Sequence, residues 1–268
     1  MKKKKSPLKS AILLISVLLL LFIAFQFVYP DVSKLKTKNP VKTAFMSYRE
    51  KGWAREGKKY RITQKWVPLR AISPYLVKAV LISEDDKFWS HEGFDYEAMQ
   101  KALEKDVKAK KFKLGGSTIS QQLAKNLYLS PSKNPLRKIR EAIITWRMER
   151  DLSKKRILEL YLNVAEWGDR GVFGIEAAAR RYYGKSASAL GPEEASRLAS
   201  VLPNPRKFNP LGSQRYVIHR SNLIYNIMVR RGIVVPEYEE VSEKSDSKDY
   251  QTGDPPESPM TEETQPKP

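Results

Sequence analysis

A run of nineteen almost purely apolar residues, Ala11–Tyr29, is the first thing any fold of this chain must accommodate. Only Ser16 and Gln26 interrupt it. At about 1.5 Å per residue the run measures about 28 Å, just enough to span the roughly 30 Å hydrocarbon core of a bilayer. A cleaved leader would be shorter and end in a small-x-small site. Phe25-Gln26-Phe27-Val28-Tyr29 offers none, so the expectation is an uncleaved single-pass transmembrane helix over 11–29. Lys2, Lys3, Lys4, Lys5 and Lys9 precede the run, and Lys34, Lys36, Lys38 and Lys42 follow it. The positive-inside bias is therefore weak, and the N-terminus is placed inside on the chemistry developed below.

Charge divides the rest of the chain. From Glu237 onward ten acids and three lysines give −7, which leaves +26 on residues 1–236 of a protein whose total is +19. A basic body of this size calls for a polyanionic partner: nucleic acid, an anionic membrane surface or a phosphate-bearing ligand. The acidic tail is rich in Ser, Thr, Pro and Glu and poor in aliphatics, so it is expected to be disordered. There is no cysteine, which excludes a disulfide framework and a thiolate metal site. The expected organisation is a basic cytoplasmic N-terminus over 1–10, an anchor over 11–29 and a membrane-proximal connector over 30–65. A mainly helical domain over 66–236 and the tail over 237–268 follow. Within the connector Tyr48, Trp53, Tyr60 and Trp66 show no periodicity that decides between short strands and irregular packing.

The domain is organised around Ile82–Asp95, where Glu84, Asp85 and Asp86 are followed by Phe88, Trp89 and His91. Before it, Leu76, Val77, Val80 and Leu81 recur at helical spacing behind Ser73, a candidate cap, and Pro74 at the first helical position. Glu84 then falls at the helix C-terminus. The dipole there disfavours an ionised carboxylate, and burial adds to the effect, which suits a general base. A helix over Tyr96–Lys108 and a basic turn at Lys110–Lys113 follow. Gly115-Gly116 then frees the backbone, with Ser117 or Thr118 as cap for the next helix. On that helix Thr118, Gln122, Lys125 and Asn126 share one face, and Ile119, Leu123 and Leu127 the neighbouring one.

Further helices are expected from Asn134-Pro135 to about Asp151, then over Lys154–Asn163, Ile175–Tyr183, Glu193–Leu202 and Ser213–Arg231. In the first of these Leu136, Ile139, Ile143 and Trp146 read as the buried stripe, and Arg137, Glu141 and Thr145 as another face. Two carboxylates, Glu84 and Glu141, thus accompany a set of cations and amides, with no Walker loop, no H-E-x-x-H and no G-x-S-x-G. Paired carboxylates are the equipment of glycosyl chemistry. Hydrolysis of a sugar chain needs no row of cations, whereas transfer from a sugar diphosphate does, because the leaving group departs with the charge of two phosphates. The readings weighed against transfer are a glycan-cleaving muramidase or lytic transglycosylase and a tethered nucleic-acid binder.

Five motifs occur in order: E-D-x-x-F-x-x-H-x-G at Glu84–Gly93, G-G-S-T-I-S-Q-Q-L-x-K-N at Gly115–Asn126, R-K-x-x-E at Arg137–Glu141, K-x-x-I-L-E-x-Y-L-N at Lys154–Asn163 and G-x-x-G-x-x-x-A-A-x-x-Y-x-G-K at Gly171–Lys185. Over Trp66–Gly232 the chain closely resembles the family 51 peptidoglycan glycosyltransferases, specifically the monofunctional biosynthetic transglycosylases. The resemblance implies a mainly α, lysozyme-like glycosyltransferase domain with no transpeptidase domain. It implies polymerisation of lipid II into β-1,4 glycan with inversion and release of undecaprenyl diphosphate. Glu84 matches the catalytic base and Glu141 the second essential acid. Glu141 is expected to order the cations, rather than bind a metal or protonate the leaving group. Lys125, Arg137 and Lys138 match the cations that hold the donor diphosphate, and Ser117, Thr118, Gln122 and Asn126 match polar groups of that cleft. Asp85, Phe88, His91 and Gly93 match the residues that shape the first motif. No motif requires a cofactor, though a divalent cation (Mg2+ or Mn2+) at the diphosphate is left open. The implied partners are lipid II, the growing lipid-linked glycan, the membrane and cell-wall proteins such as transpeptidases, with no nucleic acid. The implied location is the cytoplasmic (inner) membrane, with the domain on the outer, periplasmic face.

Overall fold

A computed structural model of the chain describes residues 7–108, 116–131 and 134–235. The tail, the basic turn at 110–113 and Gly115 lie outside them. The described residues are almost wholly helical. The helices are α1 (Pro7–Val28), α2 (Ala44–Arg55), α3 (Pro74–Glu84), α4 (Tyr96–Lys108), α5 (Ile119–Tyr128), α6 (Pro135–Asp151), α7 (Lys154–Val164), α8 (Ile175–Tyr183), α9 (Pro192–Val201) and α10 (Arg215–Arg230). Among the described residues extended pairing is confined to two isolated bridges, Thr63 with Val172 and Glu166 with Phe173.

Local chemistry sets most helix ends. Thr118 Oγ1 accepts from the Gln121 N–H at 3.2 Å, and the Thr118 N–H donates to Gln121 Oε1 at 3.0 Å, a reciprocal cap on α5. Ser153 caps α7 and Asn134 caps α6 through their side chains. Gly184 closes α8 in the left-handed region at φ 67°. Ser73 does not cap α3 as expected. Its hydroxyl donates to the Leu190 carbonyl at 2.7 Å, and its N–H to Ala187, because the turn before α9 packs over the start of α3. α10 begins at Arg215, two residues later than the spacing suggests.

α5 lies between α6, α7 and α2, while α3 packs on α9 and α10. A continuous apolar core, including Leu76, Val80, Phe88, Leu123, Ile144, Ile157, Tyr161 and Trp167, joins the two sets. Part of the connector belongs to this body. α2 buries Met46 and Trp53 against Phe173, and Arg49 reaches the buried Glu166 through Nη2 at 2.6 Å. The Asn163 side chain pairs with the Val67 N–H and carbonyl, both at 2.9 Å, and so ties residues 64–69 to α7.

α6 corrects one sequence expectation. Leu136, Ile139 and Trp146 are 68%, 58% and 48% exposed, whereas Glu141, Ile144, Thr145 and Met148 are buried. The helix turns inward the face that carries Glu141 and Thr145 together with Ile144 and Met148, because that face meets α5, which leaves Leu136, Ile139 and Trp146 outside and Ile143 half-buried.

α1 coincides with the apolar run. Its 22 residues measure about 33 Å. Many of its described side chains, among them Leu13, Leu14, Ile15, Leu20 and Leu21, are exposed. Several others fall outside the described side chains, and among the described residues no helix is long and apolar enough to cross a membrane. The C-terminal end of α1 is held to α6 by Arg147 Nη2, which donates to the Val28 carbonyl at 2.7 Å.

Candidate active site

Glu84 is the last residue of α3, where the chain leaves the helix at Asp85. It lines a cavity of about 230 Å³ with Ser83, Asp95, Gly116, Ser117 and Thr118. Gln122 Nε2 donates to Glu84 Oε2 at 2.8 Å, and Ser83 Oγ to Oε1 at 3.3 Å. Burial pushes the carboxyl up from the ordinary Glu value. The two hydrogen bonds and the charges of Arg220 and Lys125 pull the other way without cancelling it. The burial does not come from the two aromatics that follow in the sequence. Phe88 instead lies in the core beneath the ammonium of Lys154, 4.5 Å from its ring centroid, and Trp89 is half exposed.

Asp85 turns inward and fastens the first motif to the second. Its Oδ2 accepts from the N–H of Ile119, the first residue of α5, at 2.9 Å, where a carboxylate complements the helix dipole. Its Oδ1 faces His91 Nε2 at 2.9 Å, and His91 Nδ1 accepts from the Gly93 N–H at 3.1 Å. That acceptance assigns the ring proton to Nε2, so His91 donates to Asp85. Thr118 Oγ1 completes the loop by donating to the Gly93 carbonyl at 2.7 Å. Gly93 has φ 89°, and a Cβ on it would stand 2.9 Å from both Thr145 Cγ2 and Glu149 Cγ, so only glycine fits against α6 there.

The cations gather around Glu141, which is 2% exposed. Arg137 Nη1 donates to its Oε2 at 2.7 Å, and Lys138 Nζ donates to its Oε1 and, at 3.5 Å, to Ser117 Oγ. Burial holds the Lys125 ammonium below the ordinary Lys value. Glu141 and Glu84 act to raise it, and Arg137 and Lys138 to lower it. Among the described residues the carbonyl of Lys125 accepts from the Leu129 N–H at 3.0 Å, while its ammonium pairs with no carboxylate within salt-bridge distance. It thus lies within electrostatic reach of both carboxylates, at the junction of the cation cluster and the cleft. Asn126, on the same helix, is buried.

The structure therefore brings Glu84, Ser117, Thr118, Gln122 and, in the last turn of α5, Lys125 together along that helix, with Arg137, Lys138 and Glu141 beside them on α6. Asp85, Phe88, His91 and Gly93 stand behind as the scaffold. Sequence reasoning missed two residues. Tyr161, read only as an apolar position of α7, donates its O–H to Gln122 Oε1 at 3.1 Å. Arg220 of α10 donates to the Ser83 carbonyl at 3.0 Å, beside the base. The tyrosine within Y-L-N of the fourth motif was a signal for the first. Nothing local in α10 marks the second.

A sequence model described as Transglycosylase matches residues 52–229. A protein of Aromatoleum aromaticum named biosynthetic peptidoglycan transglycosylase is 47% identical over 226 residues, covering 82% of this chain and 98% of its own. Proteins of the same name from Azoarcus sp. and Dechloromonas aromatica are 49% and 54% identical. They cover 74% and 64% of this chain, and 85% and 74% of their own.

Proposed function

This chain belongs to the transglycosylase family, and from that premise we propose how its cleft polymerises peptidoglycan glycan strands for cell-wall synthesis. Glu84, ionised, takes the proton from the 4-hydroxyl of the acceptor lipid II sugar. The oxygen attacks the anomeric carbon of the donor from the face opposite the diphosphate. The bond to the diphosphate breaks with its electron pair going to the leaving group, so undecaprenyl diphosphate departs and a β-1,4 linkage forms with inversion. Lys125, Arg137 and Lys138 hold the donor diphosphate and stabilise the charge that grows on it. Ser117, Thr118, Gln122 and Asn126 line the donor side.

One observation carries this reading. A carboxyl whose ionisation is resisted by burial shares a helix junction with three cations gathered around a second, buried carboxylate. The pairing of both Glu141 oxygens favours the ordering role over proton transfer to the leaving group. A divalent cation at the diphosphate would take its ligands mainly from the phosphates, with Glu141 as the nearest protein carboxylate. Among the described residues no group of three potential ligands converges, and the oxygens of Glu141 already hold Arg137 and Lys138.

The relatives' names tie the chain to the bacterial cell envelope. Within it, α1 serves as a single-pass anchor with its N-terminus inside and the cleft on the outer face, where a lipid-linked donor and acceptor lie in the membrane plane. The outward apolar stripe of α6, together with exposed Tyr96, Met99 and Leu103 on α4, supports a domain that rests on lipid.

A lytic enzyme would use the same base without the cations. Purified chain given lipid II in detergent, and separately intact sacculi, distinguishes the two. Glycan polymer from the first and no soluble muropeptide from the second is expected; the reverse overturns the proposal.

A further inference from the structure

Tyr161 is 1% exposed, and its hydroxyl meets a side-chain amide. That amide, Gln122, has one accepting and one donating end. Tyr161 donates to Oε1 at 3.1 Å, which leaves Nε2 to donate to Glu84 Oε2 at 2.8 Å. Reversed, the amide would set its carbonyl oxygen against a carboxylate. Glu84, whose ionised oxygens only accept, sets the amide orientation, and the α7 hydroxyl, which can donate or accept, donates into Oε1 and so anchors the amide on the base.

We infer that Tyr161 is a positioning residue for the transfer reaction, acting through Gln122 to hold the base. The inference rests on Glu84 being that base. Among the described residues Tyr161 makes no hydrogen bond to a charged group, though Glu84 and Asp85 act on its hydroxyl through space. The charged groups that face Glu84 are Lys125 from α5 and Arg220 from α10, with Asp85 next in the chain and engaged by His91 and Ile119. From α9 the Ala199 carbonyl accepts from Ser83 at 3.4 Å. Replacing Tyr161 by Phe leaves all of these in place and removes one hydroxyl. Gln122 Oε1 then loses its donor, the amide is held less firmly against Glu84, and Glu84 becomes harder to ionise.

The test uses the full chain in detergent as wild type, Tyr161→Phe, Gln122→Leu and the double variant. The Glu84 carboxyl is followed by carbon-13 NMR titration, assigned by its loss in Glu84→Gln, and lipid II polymerisation is followed across pH. Tyr161→Phe is expected to move the Glu84 titration and the acid limb of the rate profile upward together. It should lower kcat about tenfold, the order of one hydrogen bond, while KM changes less than about twofold. The double variant should be no slower than Gln122→Leu alone. A Glu84 titration in Tyr161→Phe identical to wild type, or single effects that multiply in the double variant, overturns the inference. Should the wild type make no polymer, the proposed reaction falls while the titration still decides the role of Tyr161.

Discussion

Replacing Asp85 with Asn exploits a directional chain of donors. The Gly93 N–H donates into His91 Nδ1, His91 Nε2–H donates into Asp85 Oδ1, and the Ile119 N–H donates into Asp85 Oδ2. Both partners of the carboxylate are donors, and a carboxylate has two accepting ends. Asparagine has one. Whichever way its amide turns, a buried N–H meets another. Moving the His91 proton to Nδ1 only transfers the clash to the Gly93 N–H. The variant thus loses one charge-assisted hydrogen bond and leaves a buried donor without an acceptor, losses that overlap and together amount to about 2–4 kcal/mol. In a domain of this size that corresponds to a fall in Tm of about 5–15 °C. Urea unfolding of the full chain in detergent, followed by tryptophan fluorescence, measures it. A stability within about 0.5 kcal/mol of wild type would refute the donor directions assigned to His91 and Asp85.

Burial raises the Glu84 pKa in the folded state, so its ionisation weakens the fold as pH rises through that raised value. Glu84→Gln is accordingly expected to match wild-type stability below the ordinary Glu value of 4.5 and to exceed it at neutral pH, as thermal unfolding at both pH values will show. Lys125→Met removes a cation held in a buried place and should lower kcat by about 10²–10³-fold with no loss of Tm, checked by initial rates and calorimetry. Gly93→Ala combines left-handed backbone strain of about 1–2 kcal/mol with overpacking of about 1–3 kcal/mol against Thr145 and Glu149, read as a lowered urea midpoint.

What the sequence disclosed depended on the range of the interaction responsible. α3, α5 and α7 are written in local terms: a proline or capping hydroxyl at the start and apolar spacing within. The position of Glu84 at a helix end followed from the same signals. Ser73 misled because its capping geometry competes with the Leu190 carbonyl, which lies more than a hundred residues away. α6 misled because periodicity reveals that a helix has two faces without saying which one the core takes. The face that joins Glu141 to Ile144 and Met148 won the interior, since Glu141 and its cations satisfy one another there, and Leu136, Ile139 and Trp146 were left outside. α2 was hidden for a similar reason: Met46 and Trp53 pack on Phe173, a partner no local pattern names. The motif residues were all visible. That Asp85, His91, Gly93 and Thr118 form one hydrogen-bonded ring, and that Tyr161 reaches the base through Gln122, needed the fold.

The decisive experiment supplies purified lipid II to the full chain in detergent and compares wild type with Glu84→Gln, each verified as folded. Polymer from the wild type and none from the variant is the expected result. Equal polymer from both would remove Glu84 from its role as base and contradict the mechanism built around it.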